Sequence, residues 1–233
     1  MHNKFIYLLI SLACYAQTGV WAQADALKKA FQQFSNQQEL RVDLLCGHYI
    51  PDADGWRLLD EKTIEVAQQN ARMKLKAMNL EMYVFDGEVL TVDEGKKALI
   101  LRKNEGMGFS QFAFTRPELL AYFDISVSST QETTTTYELR PKAGGKLPQD
   151  LAILEKVHIL IDTQTQLYRS QHFFLNTGMQ QVQMRIDFQN YAFALPEPLP
   201  EKKDFFSYNK AGEVLLNPSF KDYTLNNQLV SQP

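Results

Sequence analysis

The chain has 233 residues, of which 45% are hydrophobic, and a formal net charge of −3. That length suits one domain with a sizeable core. The weak negative charge gives no electrostatic case for nucleic-acid binding, which calls for a basic surface, and it indicates no polybasic membrane patch, so we expect no nucleic-acid partner.

The first residues, 1–22, are predicted to be a cleavable signal peptide. A polar start with one lysine precedes the apolar stretch FIYLLISLA, which is too short to span a bilayer. The small residues Val20 and Ala22 favour cleavage after Ala22, and cleavage after Ala24 is the second choice. The mature protein is therefore expected to be exported.

The two cysteines leave an alternative open. Residues 11–14, SLAC, resemble a lipoprotein box in which Cys14 would be acylated and would anchor the chain. Ser11 stands where leucine is usual, which argues against acylation. If Cys14 leaves with the signal peptide, Cys46 remains alone and makes no internal disulfide; we expect it to act as a small buried hydrophobe.

An amphipathic helix is predicted to open the mature chain. Apolar residues recur with the spacing of one helix face at Leu27, Ala30, Phe31 and Phe34. Lysine and glutamine side chains occupy the opposite face, and Asp25 is a candidate N-cap.

Alternating apolar and polar residues then predict a meander of antiparallel strands. Met73, Leu75 and Ala77 alternate with lysines in RMKLKAM. The pairs Asp86-Gly87 and Glu94-Gly95 predict tight turns that join EVLTVDE and KKALILRK to this strand.

A short apolar helix is predicted to interrupt the strands. Thr115 and Glu118 have the spacing of a capping box, and Pro117 suits a first helical turn. The apolar residues of this helix are Leu119, Leu120, Tyr122 and Phe123.

Residues 157–188 predict further strands with one apolar face. Val157, Ile159 and Ile161 alternate with polar residues, and a turn follows at Asn176-Thr177-Gly178. After that turn the apolar positions are Val182, Met184, Ile186 and Phe188. A proline-rich connector follows, and residues 213–233 are interpreted as a polar tail.

The sequence contains no motif for covalent chemistry such as a nucleophile elbow, a phosphate-binding glycine loop or HExxH. His172 and Ser170 are two apart in a strand, which only places them on the same face. The acidic pairs Asp60-Glu61 and Asp93-Glu94 are interpreted as solvated turn charges. We therefore expect no enzyme activity, no catalytic residue, no metal and no cofactor.

Methionine is frequent in the mature chain and suits irregular apolar cavities. Composition alone favours the alternative that the methionines fill an ordinary core. The residues are Met73, Met78, Met82, Met107, Met179 and Met184.

In its order of elements the chain resembles the periplasmic outer-membrane lipoprotein carrier LolA family over residues 25–210. YVFDGEVLTVD resembles the family's glycine turn and following strand, and RPELL resembles its helix start. YELRPK, the segment 157–191 and FFSY resemble the later strands. Each motif alone is weakly specific, and their order is what carries the resemblance.

The resemblance implies a mainly β (α+β) fold for residues 23–212: an incomplete, strongly curved antiparallel β-barrel of about 8–11 strands with helices covering an apolar cavity. It also implies a periplasmic monomer that carries acylated lipoproteins. An inner-membrane complex would release these lipoproteins to the carrier, and an outer-membrane acceptor would receive them.

The apolar alternation and this resemblance together predict the binding residues. The predicted cavity lining is Leu75, Met82, Ile159, Ile161, Val182, Met184, Ile186 and Phe188. The predicted lid residues are Phe31, Leu120 and Phe123.

One departure from the family concerns the lid. Family carriers have a basic residue and a proline after the strand that here reads KTIEVAQQNARMKL, and that arginine helps to hold the lid shut. This chain has Ala67-Gln68-Gln69-Asn70 there, and Arg72 lies just beyond. Whether Arg72 takes the place of the family's arginine is left open. Two further hypotheses remain: an anchored acceptor or glycolipid carrier of the same fold, and an exported β-rich interaction module with a packed core.

Overall fold

The computed structural model describes residues 25–34, 36–104 and 117–229. The predicted signal peptide, Cys14, Met107 and Thr115 lie outside these residues. Among the described residues, no helix is both long and apolar enough to cross a bilayer.

Strands make up most of the described chain. The first element is helix α1, over residues 25–34, and a 3-10 helix spans Pro117–Tyr122. The strands in chain order are β1 (Glu39–Asp52), β2 (Gly55–Gln69), β3 (Arg72–Ala77), β4 (Leu80–Val84), β5 (Glu88–Asp93), β6 (Ala98–Lys103), β7 (Phe123–Thr130), β8 (Thr134–Pro141), β9 (Leu154–Asp162), β10 (Tyr168–Asn176), β11 (Gln181–Ala192), β12 (Phe206–Tyr208), β13 (Val214–Leu216) and β14 (Thr224–Asn227).

A 12-stranded sheet has the order β14-β6-β5-β4-β3-β2-β1-β11-β10-β9-β8-β7, and β12 pairs separately with β13. Within the described residues, β14 and β7 are the two ends of this order, so the sheet is unclosed. This strand content and order confirm the predicted fold class, a mainly β incomplete barrel. The sheet exceeds the predicted strand number because β14 joins it, and β14 pairs with β6 in parallel rather than antiparallel fashion.

The predicted hairpins are confirmed where turn residues marked them. Strands β4 and β5 flank Asp86 and Gly87, and Gly87 has a φ of 80° that favours glycine. Glu94 and Gly95 lie between β5 and β6. The strand predicted to run through KTIEVAQQNARMKL is instead broken at Asn70, whose φ is 54°, into β2 and β3.

Two compact units contain the described residues. Unit 1 takes those within 1–36, 47–60 and 114–187, and unit 2 takes those within 37–46, 61–113 and 188–233. Cys46, in unit 2, is half-buried rather than fully buried as predicted.

The core of unit 1 includes the apolar stripe of α1. Leu27, Ala30, Phe31 and Phe34 are all buried, whereas Lys28 and its polar neighbours are exposed. This burial confirms the predicted amphipathic helix, because apolar residues at this spacing share one helix face.

The core of unit 2 includes a buried cluster on one face of β4, β5 and β6. Two adjacent phenylalanines from the chain after the connector, Phe205 and Phe206, complete this cluster. Its other buried members are Tyr83, Phe85, Leu90, Val92, Leu99 and Leu101.

In its described part, residues 213–229, the segment interpreted as a polar tail contains β13, a 3-10 helix at Pro218–Phe220 and β14. Leu216, Phe220 and Leu225 pack against the buried cluster of unit 2, and Leu225 is the cross-strand partner of Leu99. Because these apolar residues are separated by polar ones, the segment has the composition of a tail. Its order comes from the cluster on which it packs.

Candidate functional site

Unit 1 gathers most of the predicted lining residues on one face of β8 to β11. Ile159 is the cross-strand partner of Gln171, and Gln171 is also the partner of Ile186. Met184 is the partner of Phe173 in the next row. Because cross-strand partners project to the same side of a sheet, these side chains form one surface.

The same face extends to the two remaining predicted lining residues of unit 1. Ile161 is the partner of Tyr168, and Val182 is the partner of Leu175. The strand register therefore brings the predicted lining residues of unit 1 together on one face, as the alternation in the sequence predicts.

Unit 2 contains the other predicted lining residues. Leu75 and Met82 are cross-strand partners, and Leu75 also pairs with Val66. Phe188 is buried, and its ring stacks on Tyr191 with 6.5 Å between centroids.

Helix α1 covers part of the apolar face of unit 1 through aromatic contacts. The Tyr168 ring lies 5.8 Å from the Phe31 ring and 5.3 Å from the Phe34 ring, between centroids. The Gln33 side-chain amide also donates to the Thr165 carbonyl oxygen at 3.2 Å. Phe31, a predicted lid residue, thus lies in a covering helix.

The other predicted lid residues belong to the 3-10 helix and the start of β7. Leu120 and Phe123 are both buried. Lys142 makes two hydrogen bonds to this segment. Its backbone N–H donates to the Tyr122 carbonyl at 3.0 Å, and its ammonium donates to the Ala121 carbonyl at 2.8 Å.

The sequence pattern did not predict that Tyr168 lies on the apolar face. Strict alternation would put Tyr168 on the polar face with Ser170. A register shift between Tyr168 and Ser170 places it instead opposite Ile161, on the apolar face. A β-bulge adds one residue and so reverses the side to which the preceding residues point.

In this structure three of the predicted lining residues of unit 1 are closed to solvent, whereas Val182 and Met184 are half-buried. Ile159 is 0% exposed, and Ile161 and Ile186 are each 3% exposed. Two of the methionines weighed as cavity residues lie elsewhere, since Met78 and Met179 are 81% and 98% exposed. Those two methionines fill neither a core nor a cavity.

The opposite face of the unit 1 sheet is polar. Glu138 accepts from the Arg140 guanidinium at 2.6 Å and lies 2.8 Å from the His158 Nε2. Lys156 lies 3.8 Å from the same carboxylate and stacks over the Phe174 ring at 4.5 Å. His158, the cross-strand partner of Glu138, is one of the polar residues that alternate with Val157 and Ile159, and it lies on this polar face.

Ser170 and His172 share this polar face. The Ser170 hydroxyl lies 3.2 Å from the His172 Nε2. Asp187, the cross-strand partner of Ser170, accepts from the Arg185 guanidinium at 2.9 Å. Since the Asp187 carboxylate binds Arg185, the contact resembles an ordinary strand-neighbour hydrogen bond rather than a triad.

His172 is expected to make stability depend on pH. Burial, with the positive charge of Arg185, lowers the pKa of His172 to about 4. The unfolded chain then binds this proton first, so stability is lost as pH falls from about 6.5 to about 4. Allowing for solvent screening, we expect a loss of about 1–2 kcal/mol.

Urea unfolding of the wild type and of His172→Gln between pH 4 and 7 measures this loss. The glutamine variant should lack that part of the pH dependence. Parallel curves for the two proteins would contradict the prediction.

Within the described residues, no group of three or more His, Cys, Asp or Glu side chains is arranged to hold a metal ion.

Arg72 contacts the proline-rich connector within unit 2. Its guanidinium donates to the Leu199 carbonyl oxygen and to the Gln69 side-chain oxygen, each at 2.8 Å. The Glu201 carboxylate lies 4.0 Å away. Arg72 thus holds the connector by these contacts.

Arg72→Met is expected to lower the free energy of unfolding by about 1–3 kcal/mol, because charge-assisted hydrogen bonds are lost while the apolar stem remains. Hydrogen exchange of the Leu199 amide should accelerate in parallel. Arg57→Met is a matched control, since Arg57 is 62% exposed. Equal effects of the two changes would show that the connector contacts are unimportant.

No protein-family model matches this chain, and no curated protein sequence matches it. Solved structures do. A LolA superfamily protein from Nitrosomonas europaea is 11% identical, with 76% of this chain and 94% of that chain covered and a TM-score of 0.34.

A putative outer membrane lipoprotein-sorting protein domain from Vibrio parahaemolyticus is 8% identical, covering 78% of this chain and 96% of its own, with a TM-score of 0.35. The MucA/MucB complex structure of Pseudomonas aeruginosa is 12% identical over 78% of this chain and 59% of the matched chain, with a TM-score of 0.40. These three structures are what the chain is similar to, at identities of 8–12% and TM-scores of 0.34–0.40.

Proposed function

We propose that this protein binds the acyl chains of lipoproteins without covalent chemistry and carries them through the periplasm from the inner to the outer membrane. The observation that supports this proposal is the apolar face of β8 to β11 in unit 1, covered by α1 through the Tyr168 contacts. Apolar surface of this kind suits acyl chains, which offer few polar groups for recognition.

Movement of α1 is a required part of the proposal. Ile159 and Ile186 are closed to solvent, so an acyl chain reaches them only when their cover opens, and we infer that α1 is the part that moves. Each buried CH₂ group contributes about 0.8 kcal/mol to binding, and a multiply acylated cargo would otherwise be held too tightly for release. Displacing the aromatic cover offsets part of that affinity.

Export is part of the same proposal. The predicted signal peptide, residues 1–22, would deliver the mature chain to the periplasm. The alternative of an anchored acceptor or glycolipid carrier requires acylation of Cys14, which lies outside the described residues. Metabolic labelling with a radioactive fatty acid distinguishes these alternatives, because only the anchored form becomes labelled.

A packed interaction module is the second candidate function. The observation that favours it is the closed state of Ile159, Ile161 and Ile186, which is also the state of an ordinary core. The two candidates differ in what the purified protein retains, since a module of this kind binds no lipid.

The test of the carrier uses the mature protein, residues 23–233, incubated with spheroplasts from its own source. Acylated lipoproteins in the supernatant, bound to the protein, would support the carrier. Another bound lipid, found by mass spectrometry, would change the cargo. If neither lipoprotein nor lipid is bound, the interaction module is the better account.

A charge on the apolar face should separate binding from folding. Met184 is half-buried and lies beside the fully closed positions, so Met184→Asp is expected to reduce bound acyl lipid about tenfold while the fold survives. Gln189→Asp is the control, because Gln189 is exposed on the same strand. Unchanged lipid binding by a folded Met184→Asp protein would show that this face is not the binding surface.

A further inference from the structure

A proline-rich strap, residues 195–200, crosses the sheet of unit 2 and is fixed at two points. The Leu195 N–H donates to the Glu39 carboxylate at 3.1 Å. The Leu199 N–H donates to the Gln69 side-chain oxygen at 3.1 Å, and its carbonyl accepts from Arg72 at 2.8 Å. Leu199 is buried, so the second attachment also packs.

The supports of the strap also bind one another. The Gln69 side-chain amide donates to Glu39 at 2.9 Å, and Arg72 donates to Gln69 at 2.8 Å. Between the two fixed points, Pro196 and Pro198 have fixed φ angles and no N–H to satisfy. The strap is therefore a stiff bridge rather than a loose loop.

A pocket of about 230 Å³ lies under this strap. Ala67 is the cross-strand partner of Lys74, and Glu65 is the partner of Lys76. The small Ala67 side chain leaves a depression beside the two lysines. The pocket is lined by Arg41, Glu65, Val66, Ala67, Lys74, Lys76, Leu195, Pro196, Glu197 and Leu199.

Three carboxylates stand near the three cations of the pocket, because Glu65 and Glu197 line it and Glu81 binds its lysines. The Lys74 and Lys76 ammonium groups lie 3.0 Å and 3.4 Å from the same Glu81 carboxylate. Arg41 lies 3.8 Å from Glu65, and both side chains are about half exposed. One carboxylate thus serves two lysines, and the Arg41 pair is long enough to exchange for a better acceptor.

We propose that this pocket binds a small anion, a phosphate monoester or carboxylate, between Arg41, Lys74 and Lys76. Leu195, Pro196 and Leu199 would contact the short apolar part of the ligand. The source of the anion is a lipid headgroup or a free phosphate ester, and both present the same chemistry to these cations.

Pocket size and position separate this site from the proposed acyl site. A volume of about 230 Å³ corresponds to roughly eight waters, which suits a headgroup and is too small for an acyl chain. Lys74 and Lys76 alternate with Leu75 along β3, so the lysines and Leu75 point to opposite faces of the sheet. Binding here is independent of whether acyl chains bind elsewhere.

The test is titration of the isotope-labelled protein with inorganic phosphate and with glycerol 3-phosphate, followed by backbone amide NMR shifts. Shifts should concentrate at Ala67, Lys74 and the strap. Lys76→Gln should weaken binding about tenfold, and Ala67→Leu, which fills the depression, should abolish it. Lys96→Gln is the control, because Lys96 is 83% exposed in a turn.

Vesicle flotation distinguishes the two sources. Vesicles of phosphatidylcholine with phosphatidic acid, whose headgroup is a phosphate monoester, should retain the protein through Lys76 if a lipid headgroup is the ligand, whereas phosphatidylcholine alone should not. Binding of glycerol 3-phosphate without such retention assigns a free phosphate ester. The anion proposal is overturned if neither soluble probe shifts the pocket amides and Lys76→Gln leaves vesicle retention unchanged. That result would leave the carrier proposal unaffected.

Discussion

Tyr168→Ala is expected to lower the free energy of unfolding by about 3–5 kcal/mol, among the largest effects of any single change in this protein. Tyr168 is 0% exposed, and its ring contacts both Phe31 and Phe34. Removing the ring leaves a cavity where α1 meets the sheet, so the helix loses its aromatic contacts as well as buried area.

Urea unfolding followed by circular dichroism measures this loss. Tyr122→Ala is the matched control, because Tyr122 is 41% exposed and should change stability by about 0.5 kcal/mol or less. Hydrogen exchange should show the amides of α1 opening more often in the Tyr168 variant. A stability loss no larger than that of the control would mean that α1 is held by other contacts.

The same variant connects stability to the proposed function. If Tyr168 holds the cover closed, its loss raises the population in which α1 has moved from the apolar face. Acyl lipid should then bind faster to Tyr168→Ala than to the wild type, even though the variant is less stable. A packed interaction module would lose stability in the same way without gaining lipid binding.

Local signals were sufficient for much of the fold. The stripe Leu27, Ala30, Phe31 and Phe34 follows the helix period, and these residues are buried. The turn at Gly87 needs a positive φ that glycine supplies readily. Such features depend on neighbours in sequence, which is why alternation and turn residues predicted them.

Features set by distant contacts were not predictable in this way. The bulge that turns Tyr168 toward the apolar face is a matter of pairing between β9 and β10. Arg72 donates a hydrogen bond to Leu199, which lies 127 positions further along the chain. Neither the register shift nor the strap contact leaves a periodic signal in the sequence.

The candidate site was predicted in part for the same reason. Alternation put Ile159, Met184 and Ile186 on one side of their strands, and the register aligns them. Gln171 escaped notice because a lone glutamine in a strand suggests a solvated position, yet it is 0% exposed between Ile159 and Ile186. The role of the whole face as a lipid surface stays a proposal.

Removing residues 213–233 is expected to prevent unit 2 from folding stably. Leu225 pairs with the fully buried Leu99, and Phe220 lies 5.5 Å from the Phe205 ring. Their loss exposes several buried apolar side chains, each worth about 1.5–3 kcal/mol, against a total stability of about 5–15 kcal/mol for a typical domain. We expect the truncated protein to bind a hydrophobic dye strongly, and we expect no cooperative urea transition of β6.

Removing only residues 230–233, outside the described residues, is the control and should leave the transition unchanged. A truncated protein with the wild-type transition would show that the segment is a dispensable tail, as its composition suggests.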